Sequence, residues 1–202
     1  MKKLFVILSL TLMIATNVTG GNLTARQVLD KTAAVLTSKS GAQAEFVIKN
    51  TIMGTSKGEI YVKNNKFMAK IPAGMVWYDG KTQWTYLRNN EEVNVTTPNA
   101  EQQQLINPYT FIYLYKKGYT YTMAENSDTY SVTLKGQDKS KGIGEMVIVI
   151  NKKTFVPSLI RMRQGKTWTT ITVKNFKRTK LNDSIFRFNS KDFPQAEIID
   201  LR

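Results

Sequence analysis

The sequence predicts a mainly β (α+β) fold: a barrel or strongly curled antiparallel sheet of about eleven short strands with two or three helices. Two observations carry that expectation. Residues 58–63, 66–71 and 83–88 alternate apolar and polar side chains, the period of a half-buried strand. The breaks between these runs are Asn64-Asn65, Pro72-Ala73-Gly74 and Asp79-Gly80, which preset a turn or tolerate positive φ. Ile60 and Val62, then Phe67, Ala69 and Ile71, then Trp84 and Tyr86 share one phase, so one sheet face should be apolar and aromatic. That face either packs against more protein or receives a ligand.

The remaining elements follow in order. Residues 24–38 are expected to be helical, because Thr24 and Gln27 make a capping-box pattern and Leu29, Ala33 and Leu36 recur at helical spacing. Residues 44–53 alternate, with Phe46, Ile48 and Ile52 on one side. Val93 and Val95 mark a strand at 91–97, reached through the turn at Asn89-Asn90. The pattern breaks between Pro98 and Gly118. A helix is expected at 108–116, with Asn107 as its cap and Pro108 in its first turn. Strands return at 119–123, 129–135, 145–150, 158–163 and 168–177, and two more are expected at 185–188 and 197–201. No repeat or linker divides the chain.

Residues 1–20 have the order of a secretory leader: Lys2 and Lys3, an apolar run from Leu4 to Ala15, then small and polar residues. Cleavage is expected after Gly20, leaving a domain over 21–202. The apolar run is short for a membrane span. No cysteine follows it, so lipid anchoring through a cysteine is excluded. The protein is expected in the periplasm.

The chain has neither cysteine nor histidine. Thiol or imidazole catalysis, disulfides and Cys/His metal sites are therefore excluded, and neither a metal nor another cofactor is expected. Asp79, Glu91 and Glu92 lie in or beside turns, and nothing orients them as a catalytic pair, so enzymatic activity is not expected. The net charge of +14 suits an anionic surface or an acidic partner. The lysines and arginines are scattered singly rather than gathered with aromatics, which argues against nucleic acid. Arg161 and Arg163 share one strand face and are expected to point outward.

Four segments together resemble the periplasmic lipoprotein carrier family LolA. GEIYVKNNKF at 58–67 is similar to the family's G-x-[LI]-x-[VI]-K-R-P-x-x-F, and YDGKTQWTY at 78–86 to its S-D-G-K-T-L-W-x-Y. Residues 107–115 sit where the family has its cavity-covering helix, and FRFNSKDFPQAEIID at 186–200 resembles the family's closing F-x-F-x-x-P segment. The resemblance implies an incomplete antiparallel barrel whose helices cover a hydrophobic cavity. It implies a monomeric carrier of lipoprotein acyl chains, loaded by an inner-membrane ABC-type releasing complex and unloaded at an outer-membrane acceptor where one is present. The alternative is a non-transporting periplasmic lipid-binding or envelope-sensing protein on the same fold.

Ile48, Ile60, Val62, Phe67, Trp84, Tyr86, Met146 and Ile148 are expected to line the cavity, although each would serve equally as core. Phe111, Ile112 and Leu114 are expected to form a displaceable lid. The family's latch arginine falls at Asn64, which has a shorter reach and no charge; Lys63 and Lys66 are its charged neighbours.

Overall fold

The computed structural model describes residues 22–52, 54–99, 102–103, 114–116, 118–138 and 142–202. The expected leader, Phe111 and Ile112 lie outside these. Helix α1 spans Ala25–Leu36 and is followed by β1 (Ala42–Asn50), β2 (Gly54–Lys63), β3 (Lys66–Ile71), β4 (Gly74–Tyr78), β5 (Gln83–Leu87) and β6 (Glu92–Thr96). A second series comprises β7 (Tyr119–Glu125), β8 (Thr129–Gly136), β9 (Glu145–Asn151), β10 (Pro157–Gln164) and β11 (Thr167–Arg178), and β12 (Glu197–Asp200) closes the chain.

The twelve strands form one sheet in the order β12-β6-β5-β4-β3-β2-β1-β11-β10-β9-β8-β7. Two meanders, β1–β6 and β7–β11, are therefore joined where β1 pairs with β11. Every pairing is antiparallel except β12 on β6, which is parallel. The sheet has two edges, β12 and β7, and is an open half-barrel rather than a closed one.

Helix α1 begins as its sequence dictates. The Thr24 side chain accepts from the Gln27 backbone and the Gln27 side chain accepts from the Thr24 backbone, so two otherwise orphaned donors are satisfied. Its stripe of Val28, Leu29, Ala33 and Val35 is buried. Val28, Leu29 and Ala33 enter a core shared with Val62, Phe67 and Tyr78 from one meander and Val132, Leu134, Met146 and Ile148 from the other. The helix thus fills part of the concave side. Tyr115 anchors the chain before β7 to this helix, its hydroxyl donating to Asp30 Oδ1. Burial, followed by that bond to Asp30, raises the Tyr115 pKa far above the ordinary tyrosine value.

Two elements differ from expectation. Met75-Val76-Trp77-Tyr78 shows no alternation, yet it forms β4, with Trp77 and Tyr78 both buried because both faces of this strand are covered. Residues 185–188 do not form a strand. Asp183–Phe186 is instead a 3-10 turn, started by the Asn182 side chain accepting from the Ser184 backbone. Phe186 is wholly buried, while Phe188 lies 5.6 Å from Trp77, centroid to centroid. The spaced phenylalanines therefore pack from a turn.

Candidate functional site

The concave face holds a cavity of about 670 Å³. Its floor comes from alternate residues of successive strands. These include Phe46 and Ile48 of β1, Ile60 and Val62 of β2, Phe67, Ala69 and Ile71 of β3, and Val76 of β4. Met146, Ile160, Met162, Ile171 and Val173 complete it from the second meander. Register brings these side chains together: Ile60 faces Ala69, Ala69 faces Val76, and Ile48 faces Ile171, which faces Ile160. Directly opposed residues in antiparallel strands share a face. Among the described residues that line the cavity, none is charged. Leu87 borders it and is 38% exposed, so the apolar lining reaches the surface there.

Of the expected lining residues, Ile48, Ile60, Val62, Phe67, Tyr86 and Met146 border this cavity. Ile148 lies elsewhere. It sits one strand beyond Ile160 on the same face, but the core beneath α1 covers it completely. Trp84 does not line the cavity either, and Tyr86 only borders it, beside Gly74. The reason is the phase of β5. Gln83, Thr85 and Leu87 face inward, so Trp84 and Tyr86 belong to the convex face. There the Tyr86 ring lies 4.7 Å from Phe193, and Phe193 lies 5.5 Å from Trp77. The segment carrying Phe188 and Phe193 packs on this side against Trp77 and Tyr86, and Trp84 and Tyr86 are half-buried there rather than inward. The need of three closely spaced phenylalanines for an apolar partner surface was the signal for this in the sequence.

Leu114 is buried in the core and is not part of the cavity lining. Asn64 is exposed in the β2–β3 turn at φ 53°, a left-handed conformation that asparagine tolerates. Its charged neighbours are directed to the C-terminal segment. Lys63 Nζ donates to Asp183 Oδ1 at 2.7 Å and to the Leu181 carbonyl at 2.8 Å, and Lys66 Nζ donates to Asp183 Oδ2 at 2.7 Å. Lys63 first, then Lys66, holds the Asp183 pKa down at about 2.

The D-G-K-T turn has a structural task. Asp79 Oδ1 accepts from the Lys81 and Thr82 backbones, and Oδ2 accepts from Arg187. Burial pushes the Asp79 pKa up, but these backbone bonds and Arg187 outweigh it, and the net shift is downward. Two of the motif segments, 78–86 and 186–200, thus meet in one ion pair. On the convex face Arg161 lies over the Trp168 ring at 4.1 Å, with Arg163 at 5.8 Å. Among the described residues no three acidic or histidine side chains gather as a metal site, and no helix is long and apolar enough to cross a membrane.

Fold and site together define an open β half-barrel wrapped around an uncharged apolar hollow. Residues 17–166 match the family described as outer membrane lipoprotein carrier protein LolA, and the chain belongs to that family. No curated protein matches the sequence significantly. Among solved structures, an uncharacterized conserved protein from Thermus thermophilus is similar at a TM-score of 0.59 and 16% identity, covering 87% of this chain and 98% of the other. A LolA superfamily protein from Nitrosomonas europaea aligns at a TM-score of 0.46 and 13% identity, covering 82% and 98%. An outer membrane lipoprotein-sorting protein domain from Vibrio parahaemolyticus, described as putative, aligns at 0.47 and 10%, covering 83% and 97%.

Proposed function

We propose that this chain is an exported carrier that takes the acyl chains of lipoproteins into the concave cavity and moves them through the periplasm from the inner to the outer membrane. In this reading residues 1–20 are removed as a leader and 21–202 act as the carrier domain. An inner-membrane ABC-type complex would load it, and an outer-membrane acceptor would unload it. The single observation that supports the reading best is the hollow itself, about 670 Å³ in volume and lined mainly by apolar residues with no charge among them. That volume falls within the roughly 300–1,000 Å³ usual for ligand pockets.

Energetics shape the mechanism. Burying a methylene gains ~0.8 kcal/mol, so a sixteen-carbon chain gains roughly 12 kcal/mol gross. A carrier that kept all of this would not release its load. Loading must therefore displace contacts made in the empty state, and only that difference sets the affinity. Phe111 and Ile112 are the residues proposed to cover the empty hollow and move aside. Leu114 and Tyr115, both packed in the core and the latter tied to Asp30, would hold the end of the covering segment in place. Lys63 and Lys66 bind Asp183 and so hold the C-terminal segment.

The test is titration of purified mature protein with a fluorescent fatty acid, expected to give saturable binding. Absence of binding would remove the carrier reading. Mass spectrometry of the protein isolated from its native envelope would then identify what it carries.

A further inference from the structure

The cavity is not uniformly apolar. On β5 the inward residues Gln83 and Thr85 line it, and across the β5–β6 pair Gln83 faces Thr96 while Thr85 faces Asn94. Directly opposed residues share a face, so four neutral hydrogen-bonding side chains form a strip at the margin of the oily floor. Gln83 Nε2 donates to Thr85 Oγ1 at 3.2 Å, whereas Gln83 Oε1 is shielded from solvent and accepts no hydrogen bond. Interchanging the amide nitrogen and oxygen moves the deficit to the other atom without curing it. A buried amide left half-paired is unfavourable. The terminal torsion of glutamine is broad, so the amide turns easily toward the cavity it lines.

We infer that Gln83, supported by Thr85, recognises an uncharged amide at the head of a bound acyl chain. This rests on the acyl-binding reading of the same cavity. A hydrocarbon offers Gln83 nothing, and an ester offers only acceptors, which pair Gln83 only when its Nε2 faces the ligand and are weaker than an amide carbonyl. An amide carries one donor and one acceptor, so it satisfies the unpaired atom in either orientation of the glutamine. The lining contains no cation to receive a carboxylate or phosphate, so a fatty acid used as the probe is held by its chain alone.

The experiment compares two ligands that differ at one position, N-methylpalmitamide and methyl palmitate, in displacing a fluorescent fatty acid from the mature protein. The wild type is expected to bind the amide at least about fivefold more tightly than the ester, within what one neutral hydrogen bond supplies. Gln83→Leu should bring the ratio close to one, and Thr85→Val should reduce the ratio in part. Equal binding of the two ligands by the wild type, or a ratio that survives Gln83→Leu, overturns the inference while leaving the carrier reading intact. If the fluorescent fatty acid itself does not bind, both fall. Should Gln83→Leu fail to fold, the wild-type ratio and Thr85→Val still decide the matter.

Discussion

At the scale of single residues, two carboxylates fasten the C-terminal segment to the sheet. Asp183 is gripped by Lys63 and Lys66, and Asp79 by the backbone of its own turn and by Arg187. Both have pKa values below the ordinary aspartate value, Asp183 at about 2. An unfolded aspartate titrates near ~3.9. The stabilisation these groups give is therefore complete above that pH and is lost as pH falls through the folded-state value. Amide protection in residues 183–193, taken relative to the intrinsic exchange rate at each pH, should be lost between about pH 4 and pH 2, ahead of the strands that carry α1. Asp183→Asn should give fast exchange in this segment already at neutral pH and remove most of the acid-dependent step. Protection that persists down to pH 2 would show that the phenylalanines hold the segment without the charges.

At the scale of elements, that segment is a second, outward core. Phe186 is wholly buried at the end of its 3-10 turn, which packs against β3 and β4. Truncating a buried phenylalanine to alanine costs about 3–5 kcal/mol. A chain of this size loses ~2–4 °C in Tm per kcal/mol, so Phe186→Ala should melt about 10 °C lower in a thermal scan. Its affinity for an acyl probe below that temperature should be unchanged, because the concave lining does not include it. The same element explains what the sequence withheld. Alternation made β2 and β3 legible because one face is oily and the other wet. It concealed β4, which is apolar on both faces, and it inverted β5. Trp84 and Tyr86 looked like cavity residues because aromatics must be buried somewhere. They lie half-buried on the convex face, where Phe193, far along the chain, packs on Tyr86, and local periodicity carries no such information. The capping box of α1, a local interaction, was legible to the residue.

At the scale of the whole molecule, the question is whether the hollow is the place of binding or a packing remnant. Ala69 decides it, since it lies on the floor between Ile60 and Val76 and contributes only a methyl group. Ala69→Trp puts a bulky ring into the volume an acyl chain would use. Overfilling a packed core is destabilising, but a side chain entering an existing cavity has apolar surface to cover, and Tm should hold or rise. Affinity for a fluorescent fatty acid should fall by about tenfold or more, equivalent to ~1.4 kcal/mol. Thr172→Trp on the convex face, one position from the inward Ile171 and Val173, is the matched control and should bind as wild type does. The two variants differ in which side of one sheet receives the indole, so general effects of the substitution cancel in the comparison. Equal loss in both would assign the binding to no particular face. Undiminished binding by Ala69→Trp would place the ligand outside the half-barrel, and a carrier that wraps its load in β-sheet would no longer describe this chain.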